Sequence, residues 1–219
     1  MKKYKVNLTT DEGELIDTWD IQIFSNTENE EFLKHLTDED VDNSLDITSA
    51  ITVESIVKTD SGFADYDPVV YKDTSSGDKP YKLDIKSSHW RGYVQFTDSA
   101  YATAEGTSTI NAGTLYHTCY TYDGTNGRIY VDGSVEATSA DVSKTIKTTT
   151  EPLYFGGKAG GTRWFDGIID EVRISSTNRS AAWIAATYDS LWDTLLTYSA
   201  EETAPTGTTS NPLFIFQNF

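Results

Sequence analysis

The 219-residue sequence predicts an all-β protein built from antiparallel strands, with one late helix, and three observations carry that prediction. Short segments that alternate apolar and polar side chains are separated by clusters of Gly, Asp, Asn, Ser and Pro, as in sheets with one face in water. Two turn motifs, Asp123-Gly124-Thr125-Asn126-Gly127 and Asp132-Gly133, sit between such segments and read as consecutive hairpins. The 13 Tyr and 5 Trp suit a pleated, half-buried surface.

Taken in order, residues 4–8 and 15–24 flank Asp11-Glu12-Gly13 and form an N-terminal hairpin. Residues 31–36 fit helix or strand on propensity alone. Residues 51–58 put Ile51, Val53 and Val57 on one side. Residues 69–72, 81–86 and 93–96 follow as a meander, with Tyr81, Leu83 and Ile85 sharing a face. Residues 115–122, 128–131 and 134–137 are the strands of the two central hairpins. Residues 153–155 and 165–174 are strands on either side of the glycine-rich loop 156–161. Residues 180–191 carry Trp183, Ile184, Thr187, Tyr188 and Leu191 at helical spacing behind polar starters. A linker at 203–210 then leads to the apolar residues Leu213, Phe214, Ile215, Phe216 and Phe219.

The chain length allows one sizeable core, so a single domain is expected, with extensions at 1–27 and 203–219 around a body at 28–202. Lys and Arg number 17 against 34 Asp and Glu, a net charge of -17 that repels phosphate backbones and excludes nucleic acid as a partner. The lone Cys119 forms no internal disulfide, and its alternation with His117 and Thr121 places it as a small buried residue on one strand face. The N-terminus has no apolar signal-peptide core, and no stretch approaches the roughly 20 apolar residues that span a bilayer, so membrane insertion is not expected.

Four segments carry a resemblance to a known family: NSLDITSAITVESIVK, LYHTCYTYDGTNGRIYVDGSVEA, LYFGGKAGGTRWFDGIIDEVRIS and RSAAWIAATYDSL, in that order and spacing. They resemble the laminin-G-like, concanavalin A-like lectin family. The fold this implies is a two-sheet antiparallel jelly-roll sandwich closed by a short C-terminal helix, with residues 31–36 as its first strand. The resemblance further implies a module of adhesion proteins, lectins, glycosidase accessory domains or virus surface proteins.

Catalysis is not expected. Retaining glycosidases need two carboxyls about 5–5.5 Å apart, and the nearest candidates, Asp170 and Glu171, are adjacent and point to opposite sides of a strand. Glu171 beside Arg173 reads as a rim pair of little energetic consequence. His117 reads as a core histidine bonded to backbone rather than a base or ligand. No cofactor is expected apart from calcium, which relatives of this kind hold at a loop rim and for which Asp60, Asp65 and Asp67 are the candidate ligands, against a plain solvated loop.

Sugar recognition needs an exposed aromatic plane with polar groups at its edge. Trp90 with Arg91 and Tyr93, and Trp164 with Arg163, are the candidates, although either tryptophan also suits a cap on the core. Two readings follow. One is a glycan-binding, lectin-like adhesion module that takes glycans or host-surface polysaccharide outside the cell. The other is a structural virion protein, a capsid decoration or phage fibre subunit on the particle surface. The start at Met1 without a leader and the apolar tail speak for the second. In it, Leu213, Phe214, Ile215, Phe216 and Phe219 mediate assembly with other copies or a larger structure.

Overall fold

A computed structural model describes residues 2–9, 15–23, 45–60, 62–74, 77–140, 142–149, 153–158 and 163–192, the first two stretches by their backbone. β1 (Lys2–Thr9) and β2 (Leu15–Ile23) form the expected N-terminal hairpin, pairing antiparallel with Tyr4 opposite Ile21, and β1 runs beside β12 (Gly167–Ser175). The segment 31–36 and the tail residues Leu213 to Phe219 lie outside the described residues.

Two five-stranded antiparallel sheets make the body. The first contains β3 (Ile51–Thr59), β8 (Tyr116–Tyr122), β9 (Gly127–Val131), β10 (Ser134–Thr138) and β12, in the order β10-β9-β8-β3-β12. The second contains β4 (Pro68–Lys72), β5 (Tyr81–Lys86), β6 (His89–Gln95), β7 (Tyr101–Glu105) and β11 (Leu153–Phe155), in the order β11-β4-β5-β6-β7. Their inward faces supply one core, to which Val53, Val57, Tyr120 and Ile129 come from the first sheet and Leu83, Ile85, Trp90 and Val94 from the second. Period-two alternation sends every other side chain to this layer, so burial of the apolar set fixes which residues face outward.

Local chemistry explains the turns. Asp132 and Gly133 both hold positive φ (47° and 75°), the two-residue hairpin geometry that Asp-Gly favours. Ser87 and Ser88 make the same kind of turn between β5 and β6, with φ of 50° and 66°. Serine carries no such sequence signal, which is why β6 begins at His89, four residues before the expected start at residue 93.

That shift overturns the placement of Trp90. It is not in a loop: it pairs with Ile85, is 1% exposed, and packs edge-on against Tyr116 at 5.8 Å. A buried indole offers no face to a sugar. Gly92, two residues on, is required by packing, because a Cβ there would fall inside the Tyr120 ring.

In β12 the register shifts between Asp170 and Arg173, and Glu171 adopts φ 49° while Asp170 Oδ1 accepts its N–H at 2.9 Å. The extra residue lets Ile169, Val172 and Ile174 all return to the core. The expected helix is α1 (Ala181–Leu191), capped by the Ser180 hydroxyl, which accepts from the Trp183 N–H at 3.2 Å. It covers the outer side of the first sheet, where Ile184 packs with Cys119 and Tyr130. Cys119 is buried there as expected.

Candidate functional site

The outer side of the second sheet has no helix over it among the described residues. Because Tyr81, Leu83 and Ile85 point inward, β5 presents Lys82, Asp84 and Lys86 outward, beside Tyr71 of β4, Arg91 and Tyr93 of β6, and Tyr101 of β7. At the centre Asp84 is fully buried and its carboxylate is saturated. Arg91 donates to it twice, through Nε at 2.8 Å and Nη2 at 2.6 Å, Lys82 Nζ donates at 2.9 Å, and the Tyr71 hydroxyl donates at 2.5 Å. Burial, then the Asp84 charge, push the Tyr71 phenol far up, so it stays a donor. Burial pulls Lys82 down from its ordinary value, against the attraction of Asp84. For Arg91 burial again opposes the charge, but the Asp84 hydrogen bonds and charge outweigh it and the guanidinium is raised.

Aromatic rings surround these cations. Lys82 Nζ sits 5.2 Å from the Tyr71 ring centroid and 4.8 Å from that of Tyr93. Tyr93 stacks on Tyr101 with centroids 5.3 Å apart and planes at 27°; burial, then Tyr101, push its phenol up to about 12. Tyr101 is 58% exposed and closes this end of the row.

At the other end stands Tyr66, on the loop before β4, 37% exposed and held at φ 72°. A bulky residue in that region is strained, and such strain persists only where surrounding contacts impose it. Its N–H donates to the Ile85 carbonyl at 2.6 Å, and its ring centroid has Lys86 at 4.8 Å, Arg91 at 4.9 Å, Arg163 at 5.3 Å and Lys82 at 5.6 Å. Arg163 Nη1 donates to the Asp65 carbonyl, tying the loop after β11 to the loop before β4. Trp164 follows it, 46% exposed. A continuous row of contacts thus runs from Arg163 through Tyr66, Lys82 and Tyr93 to Tyr101.

Of the sequence-expected glycan residues, Tyr93 lies on this face and Arg163 at its rim, and Trp164 follows Arg163 in the chain with its side chain exposed. Arg91 lies beneath the face as the clamp on Asp84, and Trp90 belongs to the core. Sequence reasoning missed Tyr66, Tyr71, Lys82, Asp84, Lys86 and Tyr101. The alternation that put Tyr81, Leu83 and Ile85 inward already placed Lys82, Asp84 and Lys86 together on the opposite face. The signal was present, but charged side chains alternating on a strand are ordinarily just a solvated face.

The three candidate calcium ligands, Asp60, Asp65 and Asp67, each meet a protein donor. Asp60 pairs with Lys58 at 3.0 Å, Asp65 accepts from Lys86 Nζ at 2.5 Å and from the Ser87 N–H at 2.7 Å, and Asp67 accepts from the Ala64 N–H at 2.6 Å. The Lys86 hydrogen bond holds Asp65 below the usual carboxylate range, whereas burial raises Asp67. Each carboxylate is drawn to a different protein donor, and among the described residues no three His, Cys, Asp or Glu converge on a metal position.

Two further readings change on the outer side of the first sheet. His117 is buried but its Nε2 faces Glu54 Oε2 at 3.4 Å rather than backbone, and its Nδ1 has no protein partner. Arg173 is more than a rim residue, since it bridges exposed Glu171 at 2.6 Å to the buried Glu54 at 3.5 Å. Neither sequence spacing nor charge pattern signals this, because Glu54 and Arg173 meet only through the β3–β12 pairing.

Residues 35–185 match the family described as the concanavalin A-like lectin/glucanases superfamily, Laminin_G_3. The chain belongs to that family. No curated protein matches the chain. Among solved structures it is similar to Ruminococcus gnavus IT-sialidase CBM40 bound to α2,3-sialyllactose, with a TM-score of 0.58 and 18% identity over 71% of this chain and 91% of that one. It is similar also to the heptameric SAP-like pentraxin of Limulus polyphemus, with a TM-score of 0.51 and 16% identity over 64% and 70%. For a Trypanosoma rangeli sialidase the TM-score is 0.50 and the identity 19%, and the match spans only 24% of the sialidase chain. At these identities the likeness shows the shared sandwich. Among the described residues no helix is long and apolar enough to cross a membrane.

Proposed function

We propose that this concanavalin A-like domain is a non-catalytic glycan-binding module acting outside the cell, and that its saccharide lies along the outer face of the second sheet. The observation that carries the reading is the row of rings there, exposed Tyr66 and Tyr101 with the half-buried Tyr93 between them and hydrogen-bonding groups at their edges; exposed Trp164, next to Arg163 in the chain, is taken to extend it. Pyranose rings present apolar C–H faces flanked by hydroxyls, so a binding surface needs flat apolar planes beside donors and acceptors. Rigid tyrosines on strands supply the planes at little entropic cost. The saccharide held by the R. gnavus CBM40 supports the same use of this fold.

A binding role is favoured over hydrolysis by the state of Asp84, the carboxylate at the centre of the face. Both its oxygens are taken by Arg91, Lys82 and Tyr71, leaving none to protonate a leaving group or attack an anomeric carbon. Display on a virion rests on the apolar tail, which lies outside the described residues, and is not carried further.

The test is retention of the full-length protein in affinity gels containing single polysaccharides, run beside Tyr101→Ala and Trp164→Ala. Each ring contributes of order 1 kcal/mol beyond its area, so each variant is expected to lose about fivefold or more in affinity while its far-ultraviolet circular dichroism is unchanged. Equal retention of the wild type and both variants on every retarding polysaccharide, or no retention on any, rules the reading out.

A further inference from the structure

We infer that the saccharide bound on this face is an acidic one, and that its carboxylate or sulfate is received at the rim by Lys86 and Arg163 beside Tyr66. The inference rests on the glycan-binding reading above and names the class of sugar that the face selects.

The argument is electrostatic and local. Four cationic side chains, Lys82, Lys86, Arg91 and Arg163, lie within 5.6 Å of one tyrosine ring. Two carboxylates bond to members of this group: Asp84 takes Lys82 and Arg91, and Asp65 takes Lys86. Arg163 donates to the Asp65 backbone carbonyl and stands over the Tyr66 ring, and the carboxylate whose charge it meets is that of Asp67, with no ion pair between them among the described residues. Of the neighbouring acids, Asp67 accepts from the Ala64 N–H and lies in the field of Arg163, Asp166 stands near Asp67, and Glu105 faces His89 at 3.8 Å.

Such crowding of cations stands out in a chain of net charge -17, in which acids outnumber bases two to one. Like charges packed around one ring repel one another, and a ligand anion relieves that repulsion. The site is layered for this purpose. Lys82 and Arg91 are nearly buried and committed to Asp84, forming a floor, whereas Lys86 keeps 28% of its side-chain surface in water and stands at the mouth. The strained backbone at Tyr66 holds the ring that separates floor from mouth. An ammonium at the end of β5 and a guanidinium on the loop after β11, beside an aromatic plane, fit an anionic group carried on a sugar ring, with the ring itself lying towards Tyr93 and Tyr101.

Because the whole protein repels polyanions, binding to one reports a local site rather than bulk attraction. The test measures affinity of the full-length protein for polygalacturonate (carboxylate), heparin (sulfate), dextran (neutral) and single-stranded DNA (phosphate without pyranose), in low salt and in about 0.5 M sodium chloride, where the Debye length drops below about 5 Å. At least one acidic polysaccharide is expected to bind more tightly than dextran and DNA, and to weaken with salt. Lys86→Gln and Arg163→Gln are expected to lower that affinity about tenfold each, the loss of one charge-assisted bond. They should lower dextran binding by a smaller factor than acidic-polysaccharide binding and leave the far-ultraviolet circular dichroism unchanged. The carboxylate and sulfate arms distinguish which anion is read.

Tighter binding to dextran, untouched by either charge variant, overturns this inference and leaves the glycan-binding reading standing. Equal binding to DNA overturns it in favour of a surface that senses charge alone. Absence of binding to all polysaccharides overturns both.

Discussion

Replacing Asp84 by alanine tests whether the floor of the binding face is held by charge compensation. The carboxylate is wholly buried and bonds Arg91, Lys82 and Tyr71, while the Lys82 and Arg91 side chains are themselves only 5% and 10% exposed. Truncation leaves two cations out of water with no counter-charge, and removing one partner of a buried ion pair costs about 3–5 kcal/mol. The sliver of exposure left to both cations lets water in, which puts the expected loss near about 3 kcal/mol. For a chain of this size each kcal/mol moves the thermal midpoint by about 2–4 °C, so a fall of about 6–12 °C is expected. Urea unfolding followed by tryptophan fluorescence measures it. The matched control replaces the group together, as Lys82→Met, Asp84→Leu and Arg91→Met, which removes the charges and their desolvation cost, leaves the Tyr71 hydroxyl the Tyr66 carbonyl at 3.4 Å as acceptor, and is expected to lie within about 1–2 kcal/mol of wild type. A loss below about 1 kcal/mol in Asp84→Ala, or a triple variant as unstable as the single one, refutes the reasoning.

Three further outcomes are expected. Gly92→Ala places a Cβ under 3.0 Å from three Tyr120 atoms and must push aside a buried ring whose hydroxyl donates to the Ala102 carbonyl at 2.9 Å, a loss of about 2–4 kcal/mol in urea unfolding; a near-neutral variant contradicts the packing argument. Cys119 is fully buried and burial pushes its thiol well up, so native protein will react with a thiol reagent only at the rate of unfolding, and prompt labelling without denaturant counts against this. Burial alone would raise Asp123, but Arg128 and the amides of Asn126 and Thr125 outweigh it and hold the carboxyl below its usual range. A carboxylate depressed on folding stabilises above its unfolded pKa of about 3.9 and loses that contribution as pH falls through the lower folded value, so Asp123→Asn will flatten the acid limb of stability below about pH 4. Parallel limbs for variant and wild type count against that assignment.

Much of the fold was legible because its signals are local. The strands β5 and β11 run over the residues that alternation marked, the Asp-Gly hairpin turns where its φ values require, and Ser180 caps α1 where a polar residue precedes an apolar-periodic run. The start of β6 was not legible, because a Ser-Ser turn has no signature and Gly92 reads as a breaker. Its reason for being glycine is the Tyr120 ring on the other sheet. The same misreading sent Trp90 to a loop.

The binding face divides along the same line. Alternation alone sets Lys82, Asp84 and Lys86 on one side of β5, and the burial of Tyr81, Leu83 and Ile85 makes that side the outer one. What the linear chain does not contain is which residues from elsewhere arrive there. Arg163 reaches Tyr66 across 97 positions, through the pairing of β11 with β4, and Asp65 meets Lys86 because the β4–β5 register brings that ammonium to it. Periodicity and turn chemistry over a few residues suffice for the antiparallel sandwich, its capping helix and the facing of the strands that alternate cleanly. Only the tertiary structure decided which aromatic rings stay exposed and which charges meet, because both depend on strand order and register between segments far apart in the chain.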